Sequence, residues 1–179
     1  MATEAELYEL AARAGAKLHA AGRRLATAES CTAGWIAKAL TDVPGSSQWF
    51  ECGYVTYSDA AKMRDLGVAQ RTLGGFGAVS EQTAREMAAG ALRVPGVSVA
   101  LAVTGIAGPD GGTPAKPVGT VWFCAAALAE RETAVVAELR HFPGDRAAVR
   151  SQSVRHALEL LLRLDLAPRV GSPQATGRA

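Results

Sequence analysis

Val97-Ser98-Val99-Ala100-Leu101-Ala102-Val103-Thr104 is apolar at alternate and intervening positions alike. Successive side chains of a strand point to opposite faces, so this segment reads as a central strand covered on both sides. Downstream, Thr120–Cys124 and Thr133–Leu139 flank the polar Glu130-Arg131-Glu132, the pattern of an antiparallel hairpin. Upstream, Leu25–Glu29 is short and mostly apolar, and Tyr54-Val55-Thr56-Tyr57 is strand-like. Helical patterns alternate with these strands. Leu7, Leu10, Ala11, Ala14 and Leu18 share one face of a first helix that stops near Gly22. A second helix is expected around Trp35–Leu40 and a short one after Ser58-Asp59. Ser80 caps a helix with Ala84, Met87, Ala88 and Ala91 on one face, and Gly74–Gly77 before it reads as a loop. Asp145 caps a long last helix with Val149, Val154, Ala157, Leu158 and Leu161 on its buried side. The expected fold is α/β, a three-layer α/β/α sandwich whose mixed sheet has about five strands. It takes up residues 1–166 as a single domain, with 167–179 a flexible tail poor in core-forming groups.

Composition narrows the function classes. Of 179 residues 49% are hydrophobic and 20% charged, which argues against disorder. Nineteen Lys and Arg against 17 Asp and Glu leave a net charge of +2, without the basic stripe or aromatic platform of a nucleic-acid binder. Cys31, Cys52 and Cys124 are far apart with no C-x-x-C, and the three histidines form no H-E-x-x-H. Neither a disulfide framework nor a zinc site is expected, and no metal or cofactor is called for. The N-terminus lacks a basic start before an apolar block, so no signal peptide is read. The longest apolar run, Val121–Ala129, is about half of the ~20 residues a membrane span needs. The expectation is a soluble cytoplasmic protein with reduced thiols and no membrane partner.

In open α/β sheets, sites form where strand ends enter helices. Ala28-Glu29-Ser30-Cys31-Thr32-Ala33-Gly34 sets two nucleophile candidates, Ser30 and Cys31, at such a junction. The amides of the following helix start could hold an oxyanion or phosphate. Equally, Thr32 could be an ordinary N-cap and Cys31 a small buried residue. In Tyr57-Ser58-Asp59-Ala60-Ala61-Lys62, an N-cap at Ser58 puts Lys62 one turn into a helix. There the dipole disfavours its ammonium form, and burial would lower its pKa further; a solvated surface lysine is the competing reading. Gly105, Gly108, Gly111 and Gly112 follow the central strand in a loop reaching Thr120, where backbone amides can approach a ligand. The loop matches neither the P-loop nor the dinucleotide fingerprint. Arg146 and Arg150 lie four apart at a helix start, where cations oppose the dipole and an anion would repay them. Asp145 as cap and ion-pair partner also accounts for that segment.

Glu29-Ser30-Cys31-Thr32-Ala33-Gly34, Tyr57-Ser58-Asp59-Ala60-Ala61-Lys62, Thr104-Gly105-Ile106-Ala107-Gly108-Pro109 and Lys116-Pro117-Val118-Gly119-Thr120-Val121 together resemble the CinA C-terminal domain family, over roughly residues 5–165. Its catalytically characterised members are nicotinamide mononucleotide amidohydrolases. The resemblance implies Ser30 as nucleophile, Lys62 as base and Tyr57 as a further catalytic position. It also points to Thr32, Thr104, Gly105, Ala107, Gly108, Gly111, Gly112, Lys116, Arg146 and Arg150 around the substrate. Arg146, Arg150 or Lys116 would hold the 5′-phosphate. Two residues depart from the family pattern: Ala33 stands at a usual glycine, and Asp59 at a usual asparagine, where an inward carboxylate would raise the Lys62 pKa. The implied activity is hydrolysis of the carboxamide to nicotinate mononucleotide and ammonia. The alternatives are a non-catalytic nucleotide-binding or regulatory domain and a serine–lysine amidase for another small amide. The partners expected are the small-molecule substrate and, as a possibility the sequence leaves open, further copies of the chain.

Overall fold

The computed structural model describes residues 2–129 and 133–166. Glu130-Arg131-Glu132 and the expected tail at 167–179 lie outside the described residues. In chain order the elements are α1 (Glu4–Ala20), β1 (Leu25–Glu29), α2 (Trp35–Thr41), a 3₁₀ turn (Ser46–Gln48), β2 (Phe50–Val55), α3 (Asp59–Leu66), α4 (Gln70–Phe76), α5 (Glu81–Ala91), β3 (Val99–Gly105), β4 (Thr120–Ala127), β5 (Ala134–His141) and α6 (Arg146–Arg163). The sheet order is β2-β1-β3-β4-β5. β1 runs parallel to β2 and β3, and β4 runs antiparallel to β3 and β5, so the sheet is mixed with five strands, as expected.

Side-chain alternation divides the core in two. Leu25, Val99, Leu101, Val103, Val121 and Phe123 pack with α1, α2 and α6. Ala26, Ala28, Ala100, Ala102, Cys124 and Ala126 face α3, α4 and α5. The second face is nearly all alanine. Small side chains let α5 approach the sheet closely, and α5 itself offers Ala84, Ala88 and Ala91 there. Crowding continues sideways: a Cβ built on Gly90 of α5 would overlap the Leu66 carbonyl at the end of α3. That carbonyl also accepts from Arg93 at 2.6 Å.

Two local expectations are corrected. Gly74–Gly77 is not a loop, because α4 continues through Gly74 and Gly75 to Phe76. Its start is held from α5, where the Glu86 carboxylate accepts from the Ala69 amide at 2.7 Å and the Thr72 hydroxyl at 2.6 Å. Tertiary capping thus overrides the poor helix propensity of glycine. The second strand spans Phe50–Val55, not 54–57. Pairing with β1 closes at the bond from the Thr56 amide to the Glu29 carbonyl, 2.8 Å, beyond which β1 has no partner to offer. Between β1 and α2 the chain turns through Ala33 at φ +52° and Gly34 at φ +87°. Left-handed backbone is ordinary for Gly34 and unfavourable for Ala33.

Gly90→Ala is expected to destabilise the protein by about 1–3 kcal/mol through overpacking, although alanine gains about 1 kcal/mol in helix propensity; a lower denaturant midpoint at unchanged m-value checks this. Ala33→Gly is expected to act oppositely, adding about 1 kcal/mol, read as a melting temperature about 2–4 °C higher.

Candidate active site

Ser30 directly follows β1, and its amide donates to the Val103 carbonyl at 3.0 Å, which keeps it in the register of the sheet. It therefore continues the Ala26–Ala28 row toward α3, while Cys31 belongs to the core on the α1–α2–α6 side. Burial pushes the Cys31 thiol up to about 12, so it remains protonated at neutral pH and is no nucleophile there. Ser30 and Cys31 are thereby separated by geometry, on opposite faces of the sheet.

Lys62 comes to Ser30 from α3. Ser58 caps that helix, its hydroxyl accepting from the Ala61 amide at 3.1 Å, as its place in the sequence predicts. The Lys62 side chain is 1% exposed. Its Nζ lies 3.0 Å from Ser30 Oγ, 2.8 Å from the Thr56 carbonyl and 3.3 Å from the Tyr57 carbonyl. Burial holds its pKa below the ordinary lysine value of 10.5. Asp59 opposes this with a smaller effect, and its side chain is exposed rather than turned inward. A neutral amine has two N–H bonds and one lone pair. With both protons donated to the Thr56 and Tyr57 carbonyls, the lone pair faces the Ser30 hydroxyl.

The turn that presents Ser30 is fixed from within by Glu29, a residue whose importance the sequence reading missed. Its fully buried carboxylate accepts from Thr32 Oγ1 at 2.7 Å, from the Ile36 amide at 3.1 Å and from the Ala37 amide at 2.8 Å. Two expectations change in consequence. Thr32 is not the N-cap of α2, a position held by Gly34, and its hydroxyl is directed to Glu29 rather than to a ligand. The first amides of α2 are likewise occupied, Trp35 by the Thr32 carbonyl and Ile36 and Ala37 by Glu29, and are not open to a substrate anion.

The remaining candidates fall into three groups. Arg150 donates to the Cys31 and Thr32 carbonyls, 3.1 Å each, and its guanidinium lies 5.6 Å over the Trp35 ring. It braces the turn that follows Ser30 and is not poised for a phosphate. Arg146 bridges the Gly108 carbonyl at 2.9 Å and the Tyr57 phenol at 3.0 Å, tying the glycine loop to the Lys62 segment. Tyr57 thus serves Lys62 through its backbone and Arg146 through its side chain. Lys116 donates to the Phe76 carbonyl at 2.7 Å, which joins the loop to the end of α4. Thr104 lies beside Ser30 across the β1–β3 pairing, with its hydroxyl donating to the Ala78 carbonyl at 2.8 Å. Gly105, Ala107 and Gly108 form the inner part of the loop, whereas Gly111 and Gly112 sit in its exposed outer part. One further group is unexplained by packing: Thr56 Oγ1 is buried with no hydrogen-bond partner among the described residues. Among those residues no three of His, Cys, Asp and Glu gather as metal ligands, and no helix is long and apolar enough to cross a membrane.

The chain as a whole is similar to several known proteins. A protein named nicotinamide-nucleotide amidohydrolase PncC from Enterobacter agglomerans is 52% identical over 161 residues, covering 90% of this chain and 96% of its own length. Its namesake from Escherichia coli K12 is 51% identical over 159 residues, covering 89% of this chain and 94% of its own. The crystal structure of the competence/damage inducible protein CihA from Agrobacterium tumefaciens superposes with a TM-score of 0.83 at 46% identity, over 88% of this chain and 94% of that one. The model of the CinA C-terminal domain matches residues 7–164. With nearly the whole folded core inside that match, the chain belongs to the CinA C-terminal domain family.

Proposed function

We propose that this protein hydrolyses the carboxamide of nicotinamide mononucleotide, releasing nicotinate mononucleotide and ammonia, with Ser30 as nucleophile and Lys62 as general base. The observation that carries the reading is the 3.0 Å contact between Lys62 Nζ and Ser30 Oγ inside a buried pocket of carbonyl acceptors. The two relatives named PncC, similar over nearly their whole length, support the substrate.

Ser30 Oγ attacks the carboxamide carbon as its proton passes to Lys62 Nζ, and the carbonyl π pair moves to oxygen. The positive pyridinium ring withdraws electrons from that carbon and favours attack. The amides of Cys31, Thr32, Ala107 and Gly108 are among those with no hydrogen bond to the described residues, and the oxyanion would draw its donors from this group. Such a donor is typically worth about 2.7–4 kcal/mol. Lys62 then gives its proton to the amide nitrogen, the C–N bond breaks and ammonia departs, leaving an ester on Ser30. Water attacks the ester, Lys62 takes the water proton and returns it to Ser30 Oγ, and the carboxylate product leaves. Arg150 is engaged with two carbonyls of the turn after Ser30, and Arg146, which ties the glycine loop to Tyr57, is the cation we assign to the 5′-phosphate, at the cost of one of its present contacts.

The non-catalytic alternative rested on Asp59, and that residue is exposed while burial decides the state of Lys62. Purified protein is expected to release ammonia from nicotinamide mononucleotide. Ser30→Ala should reduce this to background, Lys62→Met should lower kcat by about 10²–10⁴-fold, and Cys31→Ala should keep the reaction. Full turnover by Ser30→Ala in a coupled ammonia assay would remove the mechanism.

The pH dependence follows from the depressed Lys62 pKa. The folded protein binds fewer protons at Lys62 than the unfolded chain does below 10.5. This residue's contribution to stability is therefore fully present above 10.5 and is lost as pH falls through the folded value. The stability difference between wild type and Lys62→Met, from denaturant titrations, should shift in favour of wild type as pH rises through that window. Over the same range kcat/KM should rise as the neutral amine forms.

A further inference from the structure

β5 closes one side of the sheet, and among the described residues nothing pairs with its outer edge. Its register with β4 is unbroken from Ala134 to His141, with neither a bulge nor a lysine or proline, three of the usual guards of an open edge. Hydrogen-bond parity fixes which groups face outward. The Phe142 amide donates inward to the Gly119 carbonyl, so the backbone groups of Arg140, Glu138, Val136 and Ala134 also turn to β4. Those of Val135, Ala137 and Leu139 therefore turn away from the sheet. The same three residues carry their side chains on the α5 face, in line with Ala126, Cys124 and Trp122 of β4. Val135 and Leu139 are 40% and 38% exposed. One edge thus presents free donors and acceptors together with an apolar row.

We propose that this edge joins two copies of the chain, β5 pairing antiparallel with β5 of a second copy about a two-fold axis at Ala137. The choice of occupant comes from self-complementarity. An isologous contact sets each residue against its mirror position in the pattern, and outward groups can meet only outward groups. Centring on Ala137 satisfies both conditions: Val135 meets Leu139 of the second copy, Ala137 meets its equivalent, and Leu139 meets Val135. Six backbone hydrogen bonds form, and every side-chain pair in that row is apolar. Centring one residue later would set Glu138 against its own equivalent, like charge on like charge. In the neighbouring row Glu138 of each copy faces Val136 of the other, its carboxylate already held within its own chain by Arg140, His156 and Arg163. The proposed contact lies three strands from β1 and does not touch Ser30 or Lys62, so it is independent of the proposed reaction.

Light scattering after size exclusion tests this on the intact chain, with a mass twice that of one chain expected for the wild type. Val135→Lys combined with Leu139→Lys should give the single-chain mass with an unchanged far-UV spectrum. Register is read by cross-linking in a Cys52→Ser background with diamide as oxidant. Ala137→Cys should give a covalent dimer, because the facing Cα atoms would be about 5.5 Å apart, within disulfide reach. Leu139→Cys should not, since its equivalents would lie about 14 Å apart along the strands despite their greater exposure. A wild-type protein of single-chain mass at 100 μM, a dimer that survives the lysine pair, or cross-linking at residue 139 but not at 137 would each overturn the proposal.

Discussion

A carboxylate buried at the end of β1 organises this protein. Glu29 makes no ion pair among the described residues; two hydroxyls, of Thr27 and Thr32, and two helix-start amides satisfy it instead. Burying such a charge without those partners would cost several kcal/mol, so the β1–α2 turn has little freedom to take another shape. The partial positive charge of the α2 start faces Glu29, which makes an internal anion the ligand of that helix. Ala33 is held in left-handed backbone as part of the same turn, and Ser30 is set on the face opposite Cys31.

From that turn the chemistry depends on how closely the α3–α4–α5 layer packs. An alanine-lined sheet face and the small residues of α5 bring this layer near enough for Lys62 to reach Ser30 with its ammonium shielded from water. Carbonyls of Thr56 and Tyr57 satisfy the amine without adding a formal negative charge, so burial prevails and the neutral base is favoured. An aspartate or glutamate in place of those carbonyls would raise the lysine pKa, as exposed Asp59 does only weakly.

The three cations named from the sequence divide by what they already touch. Arg150 holds two carbonyls of the turn after Ser30 and stacks on Trp35, Arg146 ties Tyr57 to Gly108, and Lys116 joins the loop to the end of α4. Spacing could put Arg146 and Arg150 on one helix face but could not distinguish their tasks, because carbonyl acceptors more than 100 positions away leave no trace in local pattern. Glu29 escaped notice for the same reason. A glutamate ending an apolar strand looks like a surface residue until α2 folds back over it. Gly74 and Gly75 misled in the opposite sense, since a cap supplied by Glu86 from another helix outweighed their propensity.

Periodicity and composition were enough for the layered architecture, the mixed sheet and the ordered set of motifs that resembles the CinA C-terminal domain family. Those features depend on near neighbours and on which faces must be buried, and both are written into consecutive residues. Tertiary structure alone decided that Ser30 and not Cys31 meets the amine, that Lys62 is desolvated without a carboxylate partner, and that the α2 start is closed by Glu29. Each of these depends on groups distant in sequence entering one low-dielectric space, where a hydrogen bond or its absence fixes the charge state.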